Sequence, residues 1–245
     1  MSADPLAALI DLPGVREAVA AARDGVAEVY RHPANRRGWP ATSAEASVRA
    51  ARASAALDGG SAVLPADGSV DDPVLAGALR VAEASGGLLG TWQRAPLQVL
   101  ARLHVLAAAD LAPDSALGRP RSSARISARL DGLARLVAGD SQVAAPVLVA
   151  VVHGELLTLA PFEHASGVVA RAAARLTAIA TGLDPKGLVV PEVAHLRRER
   201  EYRAAAAGFA EGGPEPVGRW ILHCCVAVRA GALEAGSIAE AVASG

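Results

Sequence analysis

Apolar positions recur at steps of three and four along most of the chain. Val15, Val19, Ala22, Val26 and Val29 form one such series, Leu97, Leu100, Leu103 and Leu106 a second, and Ile126, Leu130, Leu133 and Val137 a third. Acids and arginines fill the intervals, as in helices that bury one face. No segment shows the strict alternation of a half-buried strand, and the abundance of alanine favours helix further. Pro13-Gly14, Pro33, Pro40, Asp58-Gly59-Gly60, the run PADGSVDDP at 65–73, Pro113, Arg119-Pro120, Gly139-Asp140, Pro161, Asp184-Pro185 and Gly212-Gly213-Pro214 interrupt the pattern. They divide the chain into about nine or ten helices. The expected fold class is all-α, a helical bundle with at most one short β-flap.

Two segments, about 143–159 and about 166–181, are apolar nearly all round, so both are expected at the centre. The turn between them is Ala160-Pro161-Phe162-Glu163-His164-Ala165. Such a turn sets free backbone N–H groups at the start of the second helix, where they can face a ligand. Asp71 and Asp72 ahead of Pro73 make a good helix start.

Composition narrows the class. With 52% hydrophobic and 20% charged residues in 245, the chain can bury a sizeable core and is not of the disordered type. A formal net charge of −1 gives no electrostatic case for nucleic acid or an anionic membrane as partner. Cys224 and Cys225 are adjacent and make no disulfide framework, which fits a reducing compartment. The start, MSADPLAALIDLPG, lacks the pattern of a secretory signal. The longest apolar run, VAAPVLVAVV at 143–152, is shorter than the ~20 residues of a membrane span. A soluble, cytoplasmic protein with no membrane partner is expected, and a homo-oligomer is compatible with the sequence.

The central turn resembles the motif of the Fic (Fido) family, H-P-F-x-D/E-G-N-G-R-x-x-R. Pro161, Phe162, Gly167 and Arg171 match it, whereas Ala160, His164, Ala165, Ser166 and Val168 stand at the histidine, acid, first glycine, asparagine and first arginine positions. His153 lies seven residues ahead of the motif, where the family often carries another histidine. The segment GRP at 118–120, the helix RISARLDGLARLV, and the later RREREYRAAAAG and RWILHCCVAV follow in the family's order. Ser54-Ala55-Ala56-Leu57-Asp58-Gly59 resembles the inhibitory-helix pattern S/T-x-x-x-E-G/N, with aspartate for glutamate. The resemblance implies a Fic-like domain over 42–230 with a central motif hairpin and an inhibitory-type helix at 42–58. It leaves an N-terminal helical extension at 1–41 and a C-terminal helix at 231–245.

Typical members transfer AMP from ATP onto a protein hydroxyl, so ATP, Mg²⁺ and a protein target are implied. Here Ala160 has no group to act as general base, a loss that typically costs 10²–10⁴-fold. His164 is a poor magnesium ligand, since that cation wants oxygen, and Val168 removes one phosphate-binding arginine. The scaffold positions Ala160, Pro161 and Phe162 keep the turn's shape. Ser166, Gly167 and Arg171 are the expected nucleotide or phosphate contacts, and Arg171 can grip an anion in a bidentate manner. In the family the inhibitory acid pairs with the motif's last arginine, which makes Ser54, Asp58 and Gly59 the autoinhibitory set and Asp58 and Arg171 expected partners.

Plainer readings stand beside these. His164 can simply cap a helix or meet solvent. His153-Gly154-Glu155 lacks the P-C-x-x-C of zinc deaminases, and His223-Cys224-Cys225 suits no zinc site, so no metal site is expected. Arg197, Arg198 and Arg200 with Glu199 and Glu201 read as a solvated helix face, and Asp58-Gly59-Gly60 is also an ordinary helix end. No G-x-G-x-x-G follows a strand, which disfavours a dinucleotide-dependent oxidoreductase. The first expectation is a Fic-like pseudoenzyme or binding scaffold with at most a residual nucleotide or phosphate site and an unknown protein partner. The alternative is a divergent transferase using His164 or His153 as base to move AMP or another phosphate-containing group onto a protein hydroxyl.

Overall fold

The computed structural model describes residues 4–244, without the side chain at position 140. Within them are ten α-helices: α1 (Val15–Arg31), α2 (Trp39–Leu57), α3 (Pro73–Trp92), α4 (Pro96–Ala108), α5 (Ala124–Arg135), α6 (Ala145–Leu159), α7 (Ser166–Ala180), α8 (Pro191–Arg197), α9 (Glu199–Glu211) and α10 (Pro214–Ser244). The described residues contain no strand, and the segment between Gly118 and α5 is irregular chain in place of a β-flap. Helix starts follow the local chemistry. Pro73, Pro96, Pro191 and Pro214 occupy first positions, where a missing N–H matters least. The carboxylate of Asp72 accepts the Leu75 N–H at 2.7 Å and caps α3.

Helix α6 explains the architecture. Its residues Leu148, Val152 and Leu156 enter a core shared with α2, α3, α4, α5 and α7. Val147, Ala150 and Val151 enter a second core with α1, α9 and α10. A helix between two cores has no face left for polar residues, which is why this segment is apolar all round. Two buried tryptophans bind the layers, each with its indole N–H satisfied, as burial of that group requires. Trp220 on α10 donates to the Ala150 carbonyl at 2.7 Å, and Trp92 on α3 donates to the Thr177 hydroxyl on α7 at 3.2 Å.

Two boundaries differ from the sequence expectation. Helix α2 begins at Trp39, because Pro40 sits in its first turn and does not break it. The expected division at 231 falls inside α10, which runs unbroken from Pro214 to Ser244. That helix is long and apolar enough to cross a membrane by length and composition. Here its apolar side, including Ile221, Cys224, Val228 and Ala235, lies in the second core. The N-terminal extension is likewise integral, since Val15, Val19, Ala22, Val26 and Val29 of α1 are buried in that core.

Helices α3 and α4 pack at Gly77, where an added Cβ would stand 2.1 Å from the Ala107 carbonyl oxygen. A backbone atom cannot yield as a side-chain tip does. Gly77→Ala should therefore lower stability by about 2 kcal/mol, despite the better helix propensity of alanine. Urea denaturation checks this, and a rise in stability would contradict the close helix contact.

Candidate functional site: a buried arginine closed by an aspartate

The turn between α6 and α7 is held in an uncommon backbone shape. Ala160 (φ 42°) and Ala165 (φ 53°) are the non-glycine residues with left-handed backbone among the described residues, and they bracket this turn. Each such alanine costs roughly 1–2 kcal/mol relative to a right-handed conformation, so the surroundings must impose the shape. Phe162 does much of this. It is buried and stacks on the His104 ring of α4, with centroids 4.1 Å apart and planes 5° from parallel. The other side of His104 is engaged too, since its Nδ1 accepts the Gly118 N–H at 2.9 Å. Ser166, an expected phosphate contact, closes the turn on itself: its hydroxyl accepts the Phe162 N–H at 3.0 Å and donates to the Phe162 carbonyl at 2.9 Å.

The start of α7 meets the end of α2 here. Asp58 follows the last residue of α2 and sends one carboxylate oxygen to the Arg171 guanidinium at 2.7 Å. The other accepts the Val168 N–H at 3.0 Å, one of the free donors of the helix start. Gly167 makes room for this, because a Cβ there would stand 2.3 Å from an Asp58 oxygen. Ser54, one turn earlier on α2, adds two contacts to Arg171. Its hydroxyl accepts from Nε at 2.7 Å and its carbonyl from Nη2 at 2.9 Å. The end of α2 is itself tied down by Arg203 of α9, which donates to the Leu57 carbonyl at 2.7 Å. Gly59 makes no comparable contact with Arg171; it continues the turn after the helix in left-handed conformation.

Arg171 is only 3% exposed. Burial opposes its charge, and Tyr202 and Asp58 more than offset that, holding it cationic. Its Nη1 reaches the Tyr202 hydroxyl at 3.4 Å, and that hydroxyl lies 2.9 Å from Nε2 of His153. Burial drives the His153 imidazole down to about 3, with Arg171 and His223 adding to the effect. His195 and His223 complete a ring cluster beside Tyr202 and Trp220. Tyr202 and His195 were not read as site residues from the sequence; Tyr202 lies in the segment RREREYRAAAAG that carries part of the resemblance, and no local pattern marks His195.

The structure gathers Ser54, Asp58, Gly167 and Arg171 into one place. It separates the two candidate bases. His153 is inside the protein with Nε2 occupied, so it has no access to a target hydroxyl. His164 is exposed on the outer side of the turn, where it lines a pocket of about 210 Å³ with His104, Arg119, Arg121 and Glu163. Ala160 caps α6 and carries no titratable group. No group of three or more His, Cys, Asp or Glu side chains among the described residues is placed to hold a metal ion. The donor set at the turn does not suit Mg²⁺, which needs several oxygens.

No protein-family model matches the chain, and no curated protein matches it in sequence. Solved structures do match. A Fic family protein from Desulfovibrio desulfuricans superposes with a TM-score of 0.74 at 19% identity, covering 92% of this chain and 74% of that one. Fic-1 from C. elegans matches at 17% identity with a TM-score of 0.62, and a substituted form of it at 18% with 0.68; each match covers 94% of this chain and 74% of that one. The chain has the Fic fold. At these identities the likeness concerns the arrangement of helices, and within that Fic fold the turn and the α2 end stand where the geometry above describes them.

The neutral histidine cluster makes stability pH-dependent. Folded His153 stays unprotonated down to about pH 3, whereas an unfolded histidine takes a proton near 6.5. Its contribution is complete above about pH 6.5 and is withdrawn toward pH 3, at about 1.4 kcal/mol per pH unit. Urea denaturation between pH 7.5 and 5 should show this loss, and His153→Gln should flatten it. Identical slopes for the two proteins would contradict a buried, neutral His153.

Proposed function

We propose that this chain is a Fic-fold binding protein that has lost AMP transfer and retains a recess for a phosphate-like anion at the start of α7, closed by Asp58. One observation carries the reading. The Asp58 carboxylate bridges the Arg171 guanidinium and the Val168 N–H at 2.7 and 3.0 Å. Those are the donors a phosphate oxygen pair would use: a helix-start N–H and a charged fork. A carboxylate is thus a built-in stand-in for the anion, and the recess is complementary to one. Gly167 supports the reading further, because its missing side chain leaves the space through which the anion reaches the backbone.

The same residues argue against transfer. Activating a target hydroxyl needs a base within hydrogen-bond reach, and Ala160 supplies none. His153 is sequestered behind Tyr202. Charge that develops on a transferring phosphate is normally balanced by a metal ion and several cations, and the turn offers Arg171 with Val168 in place of a second arginine. An anion recess without base or metal ligands binds and does not turn over. Its partner is a protein or nucleotide presenting phosphate.

Calorimetry with ATP, with and without Mg²⁺, and with pyrophosphate tests this on the intact protein, Asp58→Gly and Arg171→Ala. Asp58→Gly should bind at least about tenfold more tightly than the intact chain, since the competing carboxylate is gone, and Mg²⁺ should add little. Arg171→Ala should bind nothing. Equal behaviour of Asp58→Gly and the intact protein would remove the recess, and AMP labelling of a protein target by the intact chain would remove the loss of transfer.

A further inference from the structure

We propose that Tyr202 is the positioning residue of this recess: its hydroxyl, anchored on His153, keeps the Arg171 guanidinium in its anion-gripping pose when the end of α2 withdraws. The inference rests on the recess reading above, and it concerns a part of the network which that reading does not use.

The argument is one of proton inventory and of which element holds which bond. Three residues accept from Arg171, and two of them, Ser54 and Asp58, belong to the end of α2. Opening the recess by moving that end removes both together. Tyr202 sits on α9 and remains. Arginine is donor-only, so the contact at 3.4 Å requires the Tyr202 oxygen to accept. A phenol has one proton, and its other neighbour is His153 Nε2 at 2.9 Å. Giving that proton to His153 leaves the buried phenol O–H paired, and it assigns His153 the tautomer protonated on Nδ1. Burial pushes the Tyr202 hydroxyl up to about 12, against the opposing pull of Arg171, so it keeps its proton.

The tyrosine has little freedom to leave. It is 2% exposed, and its ring lies 4.5 Å from that of His195 on α8 and 5.8 Å from that of Trp220 on α10. His195 is in turn bonded to His223 at 3.1 Å. Arg171 does have somewhere else to go. A cavity of about 40 Å³ borders it, lined also by His153, His195, Arg175 and Glu192. Glu192 is 5% exposed, and its Oε2 is buried with no hydrogen-bond partner. A freed guanidinium would turn toward this carboxyl, away from the recess. The Tyr202 hydroxyl is what prevents that turn.

Two measurements on the full chain test the proposal. Imidazole ¹⁵N spectra of the intact protein should show His153 protonated on Nδ1, with Tyr202→Phe shifting its Nε2 and the Arg171 Nε–H resonance. Protonation on Nε2, or an Arg171 signal indifferent to Tyr202→Phe, overturns the proposal whether or not any anion binds. In calorimetry with pyrophosphate, Ser54→Ala/Asp58→Gly/Tyr202→Phe should bind about tenfold more weakly than Ser54→Ala/Asp58→Gly, in which both α2 side chains that hold Arg171 are gone. Adding Glu192→Gln should recover part of that loss, which a generally loosened structure would not do. Equal affinity of Ser54→Ala/Asp58→Gly with and without Tyr202→Phe overturns the positioning role. If Asp58→Gly binds no pyrophosphate, the recess reading fails by itself, and the spectra alone decide the place of Tyr202.

Discussion

The structure turns on one buried cation. Arg171 lies almost wholly inside the protein, and a guanidinium taken from water without partners would be untenable by several kcal/mol. Every element around it answers that requirement. The end of α2 contributes a hydroxyl, a carbonyl and a carboxylate, and α9 contributes a phenol. The start of α7 approaches closely because Gly167 has no side chain. Breaking such a pair by removing one partner is strongly destabilising in general, whereas an exchange of one anion for another is not. The arrangement therefore discriminates between absence and replacement of Asp58.

The same constraint explains why the turn keeps a demanding shape. Ala160 and Ala165 hold left-handed backbone although alanine gains nothing from it. The shape is imposed from outside, by the Phe162 ring on His104, by the Ser166 hydroxyl on the Phe162 backbone, and by Asp58 on the start of α7. A helix start with free N–H groups must be satisfied by something, and Asp58 does so. That backbone need exists whatever side chains the turn carries, and it is what the proposed anion recess rests on.

Much was legible along the chain because it depends on near neighbours. The helical steps of three and four, the all-round apolarity of about 143–159 and about 166–181 and the breakers placed the helices and put α6 and α7 at the centre. The serine-to-aspartate spacing also placed Ser54 and Asp58 one helical turn apart, on one face of α2, which is why both reach the same guanidinium. Less legible were features that need two helices at once. Pro40 looked like a boundary and lies in a first turn. Position 231 looked like a junction and lies within one long helix whose apolar side is buried. Ser166 looked like a ligand contact and bonds the Phe162 backbone.

Sequence periodicity and capping, which act over a few residues, determined the helical class and the central pair, whereas the pairing of an acid on α2 with an arginine on α7 was implied only by the family resemblance. The tertiary structure decided the protonation and access of the buried groups. His153 became a buried, neutral imidazole because Tyr202, His195 and Trp220, from three other helices, converge on it and exclude water. Desolvation depends on everything that surrounds a group, and no spacing along the chain records it.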